Sequence, residues 1–366
     1  MTIMTSIFPG RYVQGAGALS LLAEEVARLG DAGFAIVDPV VLPEVKGVLE
    51  GAKTVSVVVE TFGGECTDEE AERLAAVAGK AGASVIIGVG GGKALDTAKA
   101  VAHAMAVPVV IVPTLASTDA PCSALSVIYT PEGAFKRYLV LPRNPDVVLV
   151  DTALIARAPV RFLVSGMGDA LATWFEAEDC KISGSANMTG RVGSMTAYGL
   201  ARMCYDTLLA DGVAAKADCA AKTVTPALER IVEANTLLSG LGFESGGLSG
   251  AHAIHNGLTV LAGTHHFWHG EKVAIGTLAL LHLTKRPLAV LAEVYDFCDA
   301  IGLPTTFADI GIADVTDAEL LEVAKVACAD GDTMGNVPGN VTPEAVVAAL
   351  KAADMEGRAR HTKHAA

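Results

Sequence analysis

Six residues beyond Asp151 carry side chains suited to holding a divalent cation. They are Asp169 in GMGDALATWFEA, His252 and His255 in HAIHNG, and His265, His266 and His269 in HHFWHGEK. A carboxylate and imidazoles on separate helices make a metal site in a bundle, and a cation held there polarises oxygen and lowers the pKa of a bound hydroxyl. Five of the nine histidines fall within the 18 residues from 252 to 269, a density that scattered core histidines do not explain. His252 and His255 stand three apart and share one helix face. Spacing alone leaves open which of the five point inward. The competing reading is a structural histidine, and it is adopted for His103 and His282, lone residues in apolar helices.

The first half offers a different chemistry. In SVIIGVGGGKALDTAKA, residues 84–100, an apolar run meets a helix through three consecutive glycines. Gly90–Gly92 permit positive φ and close backbone approach, and the helix that follows presents unpaired N–H groups and a positive dipole end to a phosphate. The stretch is neither G-x-G-x-x-G nor a Walker loop, and a tight αβ connection is the alternative. Asp38 closes the run GFAIVD, where an acid hydrogen-bonds an adenosine ribose and disfavours a 2′-phosphate. Here the acid precedes the glycines, the reverse of the usual dinucleotide order, and a turn former or helix N-cap is the competing role. The loop TLASTDAPCSALSVIY, residues 114–129, gathers Thr114, Ser117, Thr118, Asp119 and Ser123. Such hydroxyls serve a polar ligand or an ordinary turn, and Asp119 is the one charge among them.

These groups need a frame. Apolar runs at 33–38, 54–60, 84–89, 107–113 and 147–151 alternate with amphipathic segments near 18–29, 41–51, 67–82 and 93–105, the pattern of a parallel sheet covered on both faces. Ligands of such sheets bind at the carboxyl edge. Beyond about Asp151 long helical segments take over, at 152–156, 159–180, 186–210, 214–239, 248–262, 269–284, 287–301, 317–329 and 343–356. The expected organisation is an α/β domain with a Rossmann-like sheet over 1–158 and an all-helical domain over 159–366, whose seam is a usual place for a ligand cleft. The closing HTKHAA lacks periodic apolar context and reads as a frayed tail rather than a ligand set.

A chain of 366 residues, half of them hydrophobic, has enough material for two cores. Its formal charge of −14 and the lack of long Lys/Arg clusters argue against nucleic acid. Seven scattered cysteines with no C-x-x-C pair argue against a disulfide framework and a structural zinc knot. MTIMTSIFPGRYVQG has Pro and Gly where a signal peptide would be apolar, and no uncharged run is long enough for a bilayer, so a cytoplasmic location is expected.

With GGGKALDTAKA, PTLASTDAPCSALSVIY, GMGDALATWFEA, ESGGLSGAHAIHNGL and HHFWHGEKVAIGTL in one order, the sequence resembles the bacterial glycerol dehydrogenase family through nearly its whole length. That family lies in the iron-containing alcohol dehydrogenase and dehydroquinate synthase superfamily. The resemblance implies a dehydroquinate synthase-like fold and metal ligation by Asp169, His252 and His269, with His255, His265 and His266 as neighbours or supports. It implies dinucleotide contacts from Asp38, Gly92, Lys93, Asp96, Thr114, Ser117, Ser123, Leu125 and Tyr129, with Asp119 next to the substrate. Iron-dependent relatives place a histidine four residues after the ligating aspartate, where this chain has Thr173. Three protein ligands and an open position suit catalytic zinc, although the same donors accept other divalent ions.

The expected activity is therefore NAD-dependent, zinc-dependent oxidation of glycerol and related vicinal diols to the ketone, dihydroxyacetone for glycerol, by hydride transfer from a metal-bound secondary alkoxide. The expected partners are a small polyol and further copies of the chain in a homo-oligomer, commonly an octamer in the family, with no nucleic acid and no membrane. A glycerol-1-phosphate dehydrogenase and a dehydroquinate synthase-like carbocycle-forming lyase are the alternatives. Both must hold a phosphate, and segments 114–129 and 243–272 contain no basic cluster beyond Lys272. A nucleotide-binding protein without catalysis would have no need of the Asp/His/His set.

Overall fold

Runs of Val and Ile flanked by Gly and Asp become the strands of one parallel sheet, because side chains buried on both faces favour β-branched residues and leave no polar face. A computed structural model describes residues 3–51 and 54–365; the outer limits of the two expected domains, Met1 and Ala366, lie outside the described residues. The chain resolves into two compact units. One is Ile7–Pro159 with Asp218–Gly240; the other is Val160–Ala217 and the residues from Leu241 onward, with the N-terminal residues through Ser6.

In the first unit, β1 (Tyr12–Gly15), β2 (Ala32–Val37), β3 (Ser56–Thr61), β4 (Val85–Gly90), β5 (Val109–Pro113) and β8 (Val147–Asp151) form a six-stranded sheet in the order β1-β8-β5-β4-β2-β3. Each neighbouring pair runs parallel. The Rossmann-like sheet expected from the alternating pattern is thus present. β6 (Leu125–Tyr129) and β7 (Phe135–Val140) form a separate antiparallel hairpin, which sequence reasoning did not separate from the loop after β5. The inner residues of β2, β4, β5 and β8 pack with Leu22, Val26, Val45 and Leu49 from the covering helices into one core.

The register fixes the carboxyl edge. Val37 of β2 is paired with Val89 of β4, and Gly90 with Pro113 of β5, so Asp38, the glycine loop and Thr114 emerge side by side. Gly90 has a φ of +153°, and a Cβ on it would stand 2.8 Å from Asp38 Cβ and 2.9 Å from Ala94 Cβ. Only glycine allows so close an approach of acid, loop and helix.

The segment 218–240, expected in the helical domain, belongs to the first unit. The continuous helix anticipated over 214–239 is interrupted: Lys222 takes a left-handed φ of 56°, and Thr225 caps a new helix, Pro226–Glu233, by accepting from Leu228 N. A π-helical turn, Ala234–Leu238, follows, and then the helix Ser239–Gly246. Gln14 Nε2 and Thr152 Oγ1 both donate to the Glu229 carboxylate, at 2.8 and 2.7 Å, which is why this piece stays with the sheet.

The second unit is helical. Its main members are Val160–Ser183, Met195–Ala220, Gly250–Leu258, His269–Leu283, Leu288–Ile301, Asp317–Ala327 and Pro343–Ala365. The last is longer than expected and corrects the frayed tail: Arg360 pairs with Asp296 at 2.6 Å, and Thr305 Oγ1 lies 2.9 Å from His361 Nε2, contacts that hold the terminal turns. Among the described residues no helix is long and apolar enough to cross a membrane.

Candidate functional site

Asp169 lies at the middle of the helix Val160–Ser183, His252 in the first turn of Gly250–Leu258, and His269 at the start of His269–Leu283. Two glycines bring the first and third of these helices together. A Cβ on Gly270 would overlap the Ser165 carbonyl and stand 2.9 Å from Asp169 N, while one on Gly168 would run into the Gly270 carbonyl. Backbone therefore meets backbone where the two side chains are needed.

One ligand atom from each of Asp169, His252 and His269 falls within 4.8 Å of the others. Asp169 Oδ1 lies 3.0 Å from His269 Nε2 and 3.3 Å from His252 Nε2. The far nitrogen of each imidazole has its own partner: His252 Nδ1 stands 2.6 Å from Glu176 Oε2, and His269 Nδ1 stands 3.0 Å from His255 Nε2. Fixing the outer nitrogen leaves Nε2 to face Asp169, the arrangement that a metal-binding histidine requires.

The electrostatics follow from burial against charge. Burial opposes ionisation of Asp169, but the adjoining His269 and His252 outweigh it and hold the carboxyl well below its usual range. Burial lowers the affinity of His252 for its proton, yet the Glu176 and Asp169 carboxylates overcome it and raise this imidazole well above 6.5. His255 is driven the other way, by burial first and then by the charges of His269 and Lys272. It is therefore a neutral neighbour. The donors fit a divalent cation: one anionic oxygen and two imidazole nitrogens converge within ligating reach of one another.

The other histidines are not drawn in. His265 and His266 are exposed, and His265 Nε2 meets the Thr259 carbonyl at 3.0 Å. Thr173 is buried, and its Cγ2 stands 2.4 Å from where a Cβ on Gly242 would be. Sequence reasoning missed Glu176, although it follows Asp169 by seven residues, two helical turns on the same face. Glu176 Oε1 also accepts from Ser249 N at 2.9 Å and His252 N at 3.0 Å, tying down the start of the helix that carries His252.

In the first unit the carboxyl edge collects the remaining candidates. Asp38 is half-buried at the end of β2 and accepts from Val40 N at 2.9 Å. The helix Gly92–Met105 begins with Gly91 as N-cap and has no side-chain cap, and nothing lies within 4 Å of a Cβ placed on Gly92. Its first turn is therefore left without a side-chain partner at the N-cap, and the space beside Gly92 is open. The Lys93 ammonium is engaged by Glu65 at 2.6 Å and sits 4.9 Å from the Tyr129 ring centroid.

Asp96 is buried and acts through the hairpin: Oδ2 accepts from Val127 N at 3.0 Å, and Oδ1 pairs with Lys99 at 2.9 Å. Lys99 was not singled out from the sequence, yet its buried ammonium also donates to the carbonyls of Ala120 and Leu125. Together Asp96 and Lys99 fix the loop that carries Ser123, Leu125 and Tyr129. Thr114 is buried and its N–H donates to Gly90 O at 3.0 Å, Ser117 is half-buried, and Ser123 Oγ donates to Ala120 O at 3.0 Å.

Asp119 is buried and accepts from Ser239 Oγ at 2.7 Å, while Asn235 Nδ2 donates to Ala116 O at 3.0 Å. Both donors come from the π-helical turn and the residue after it. π turns re-aim side chains within a helix and cluster at functional sites. Neither Ser239 nor Asn235 is distinguishable in the sequence from any other polar helical residue.

Comparison with known proteins places these features in a lineage. Residues 9–152 match the iron-containing alcohol dehydrogenase family. The chain is 62% identical to the glycerol dehydrogenase of Thermotoga maritima over 360 residues, covering 98% of this chain and 99% of the relative. Among solved structures, the glycerol dehydrogenase of Schizosaccharomyces pombe superposes with a TM-score of 0.94 at 39% identity, covering 100% of this chain and 94% of that one. A probable glycerol dehydrogenase of Sinorhizobium meliloti superposes with a TM-score of 0.92 at 46% identity, covering 98% and 100%.

Proposed function

The chain belongs to the iron-containing alcohol dehydrogenase family, and from that membership we propose that it is an NAD-dependent glycerol dehydrogenase, which converts glycerol and NAD+ into dihydroxyacetone, NADH and a proton. The observation that carries the reading is the convergence of Asp169, His252 and His269 in a chain so similar, over its full length, to glycerol dehydrogenases.

Asp169, His252 and His269 would hold a divalent cation, for which we propose zinc, because Thr173 stands where a fourth protein ligand would be and three ligands leave a position open. When bound, the cation supplies Lewis acidity that favours loss of the hydroxyl proton and aligns adjacent hydroxyls. Glu176 and His255 keep both imidazoles turned with Nε2 toward Asp169. The N-terminus of Gly92–Met105 receives the pyrophosphate and Asp38 the adenosine ribose, while Thr114, Ser117, Ser123, Leu125 and Tyr129 line the path of the dinucleotide. Asp119, oriented by Ser239, accepts a hydrogen bond from a substrate hydroxyl. When bound, NAD+ would serve as the acceptor of the C2 hydrogen as hydride, and the hydroxyl proton would pass to solvent. The chain's part is alignment of these groups.

The test is absorbance at 340 nm. Zinc-loaded protein with glycerol and NAD+ is expected to accumulate NADH, to stop after dialysis against a chelator, and to resume on adding zinc back. Activity that survives complete metal removal overturns the assignment, and a lyase of the dehydroquinate synthase type would accumulate no NADH. The ribose assignment has its own readout. Asp38→Ser removes a carboxylate from the edge and is expected to raise the ratio of NADP+ to NAD+ efficiency by about tenfold, equivalent to roughly 1.4 kcal/mol. An unchanged ratio removes Asp38 from the cofactor site.

A further inference from the structure

His269 differs from His252 in what stands behind it. Glu176 holds His252 directly, whereas His269 is backed by a row of three side chains ending in Asp332. Asp332 Oδ2 lies 3.1 Å from Asn256 Nδ2. A carboxylate oxygen only accepts, so the Asn256 amide must turn its NH2 toward Asp332 and its oxygen the other way. His255 Nδ1 lies 3.2 Å from that oxygen. An amide oxygen also only accepts, so His255 carries its proton on Nδ1 and offers Nε2 as an acceptor. His269 Nδ1 stands 3.0 Å from that acceptor and is the donor. The nitrogen of His269 left to give to a cation is then Nε2, the one beside Asp169.

We propose that Asp332 is a positioning residue of the metal centre: by orienting the Asn256 amide it sets the polarity of the row through His255 and holds His269 in the tautomer that presents Nε2. The inference rests on the reading of Asp169, His252 and His269 as cation ligands. Asp332 is itself fixed in place. Its Oδ1 accepts from Thr333 N at 2.6 Å, and Thr333 Oγ1 donates to Ser249 O, also at 2.6 Å, at the start of the helix that carries His252, His255 and Asn256. A negative end is needed because an amide left alone can flip and present NH2 to His255, which would reverse every donor and acceptor in the row.

Zinc affinity of the metal-free full chain, measured by competition with a chromophoric chelator near neutral pH, tests this without recourse to turnover. Asp332→Ala and Asn256→Leu are each expected to weaken zinc about tenfold, the lower end of what loss of an outer partner costs. The double substitution Asp332→Ala with Asn256→Asp is expected to restore about the wild-type affinity, because a carboxylate at 256 accepts from His255 whichever way it turns. A merely structural role for Asp332, such as capping Thr333, would not be rescued in this way. Unchanged affinity in both single variants, or a loss that the double variant fails to restore, overturns the proposal. Zinc uptake by wild type that disappears in His269→Ala keeps the ligand reading standing in either case, and wild type that takes up no zinc overturns both.

Discussion

Asp169→Asn is expected to lower kcat/KM for glycerol oxidation by about 10³-fold or more and to leave the protein without stoichiometric metal. Asp169 is the only anionic donor in the cluster and is fully buried, so the substitution removes the charge that both offsets a divalent cation and anchors the two imidazoles. Loss of Lewis-acid stabilisation amounts to several kcal/mol, and about 4 kcal/mol corresponds to three decades of rate. Asparagine is isosteric and its amide oxygen still accepts, so the fold should survive. The effect should appear in metal content and turnover rather than in secondary structure. Mass-spectrometric metal analysis beside NADH absorbance reads both, and a variant that keeps its metal and more than a tenth of its rate would remove Asp169 from the centre.

Gly270→Ala is the second large effect, and it acts through packing alone. The added methyl would lie inside the Ser165 carbonyl and 2.9 Å from Asp169 N, and neither is the end of a flexible side chain. The helices Val160–Ser183 and His269–Leu283 must separate to admit it. Overpacking of this kind costs about 1–3 kcal/mol of stability or more. Asp169 and His269 ride on the separating backbones, and a displacement of about 1 Å in a reacting constellation costs on the order of 10²-fold in rate. The expected result is a folded protein with a lower melting temperature, weakened metal binding and about 10²-fold slower turnover. Ala279 on the same helix is fully buried, and Ala279→Gly, which removes a methyl instead of adding one at the helix contact, should lower stability without a comparable loss of metal. Full activity of Gly270→Ala would mean that the contact of the two helices does not position the site.

What could be read in the sequence depended on how local the cause was. SVIIGV, VPVVIVP and VVLVD declared a buried parallel sheet because β-branched residues filled both faces, and TVSVVVE joins them as a partly exposed edge strand. β1, only YVQG and half-buried, carried no such signal, and the hairpin of β6 and β7 resembled a polar loop because one of its faces is wet. The helices carrying Asp169 and His269 were foreseeable as long apolar segments punctuated by Gly and Pro. Glu176 was in principle within reach of helical spacing. Ser239 and Asp332 were not, since each meets its partner across 120 and 76 residues of chain respectively, and nothing local marks such an encounter. The assignment of 218–240 to the helical domain failed for the same reason: its bonds to Gln14 and Thr152 outweigh its helical character.

The π-helical turn Ala234–Leu238 makes the direction of Asn235 a matter of phase. One residue of α-helix corresponds to about 100° of rotation, so a π turn amounts to a single inserted residue absorbed locally: the side chains within it are re-aimed while those after it keep their phase and the helix is hardly lengthened. Deleting one residue from this turn and closing it to α-helix would re-aim the side chains within it, Asn235 among them, and leave the residues from Ser239 onward in nearly the same phase. The aim of Asn235 at the Ala116 carbonyl is thus encoded in a residue count, and a deletion there would alter it in one step where side-chain substitution would need several.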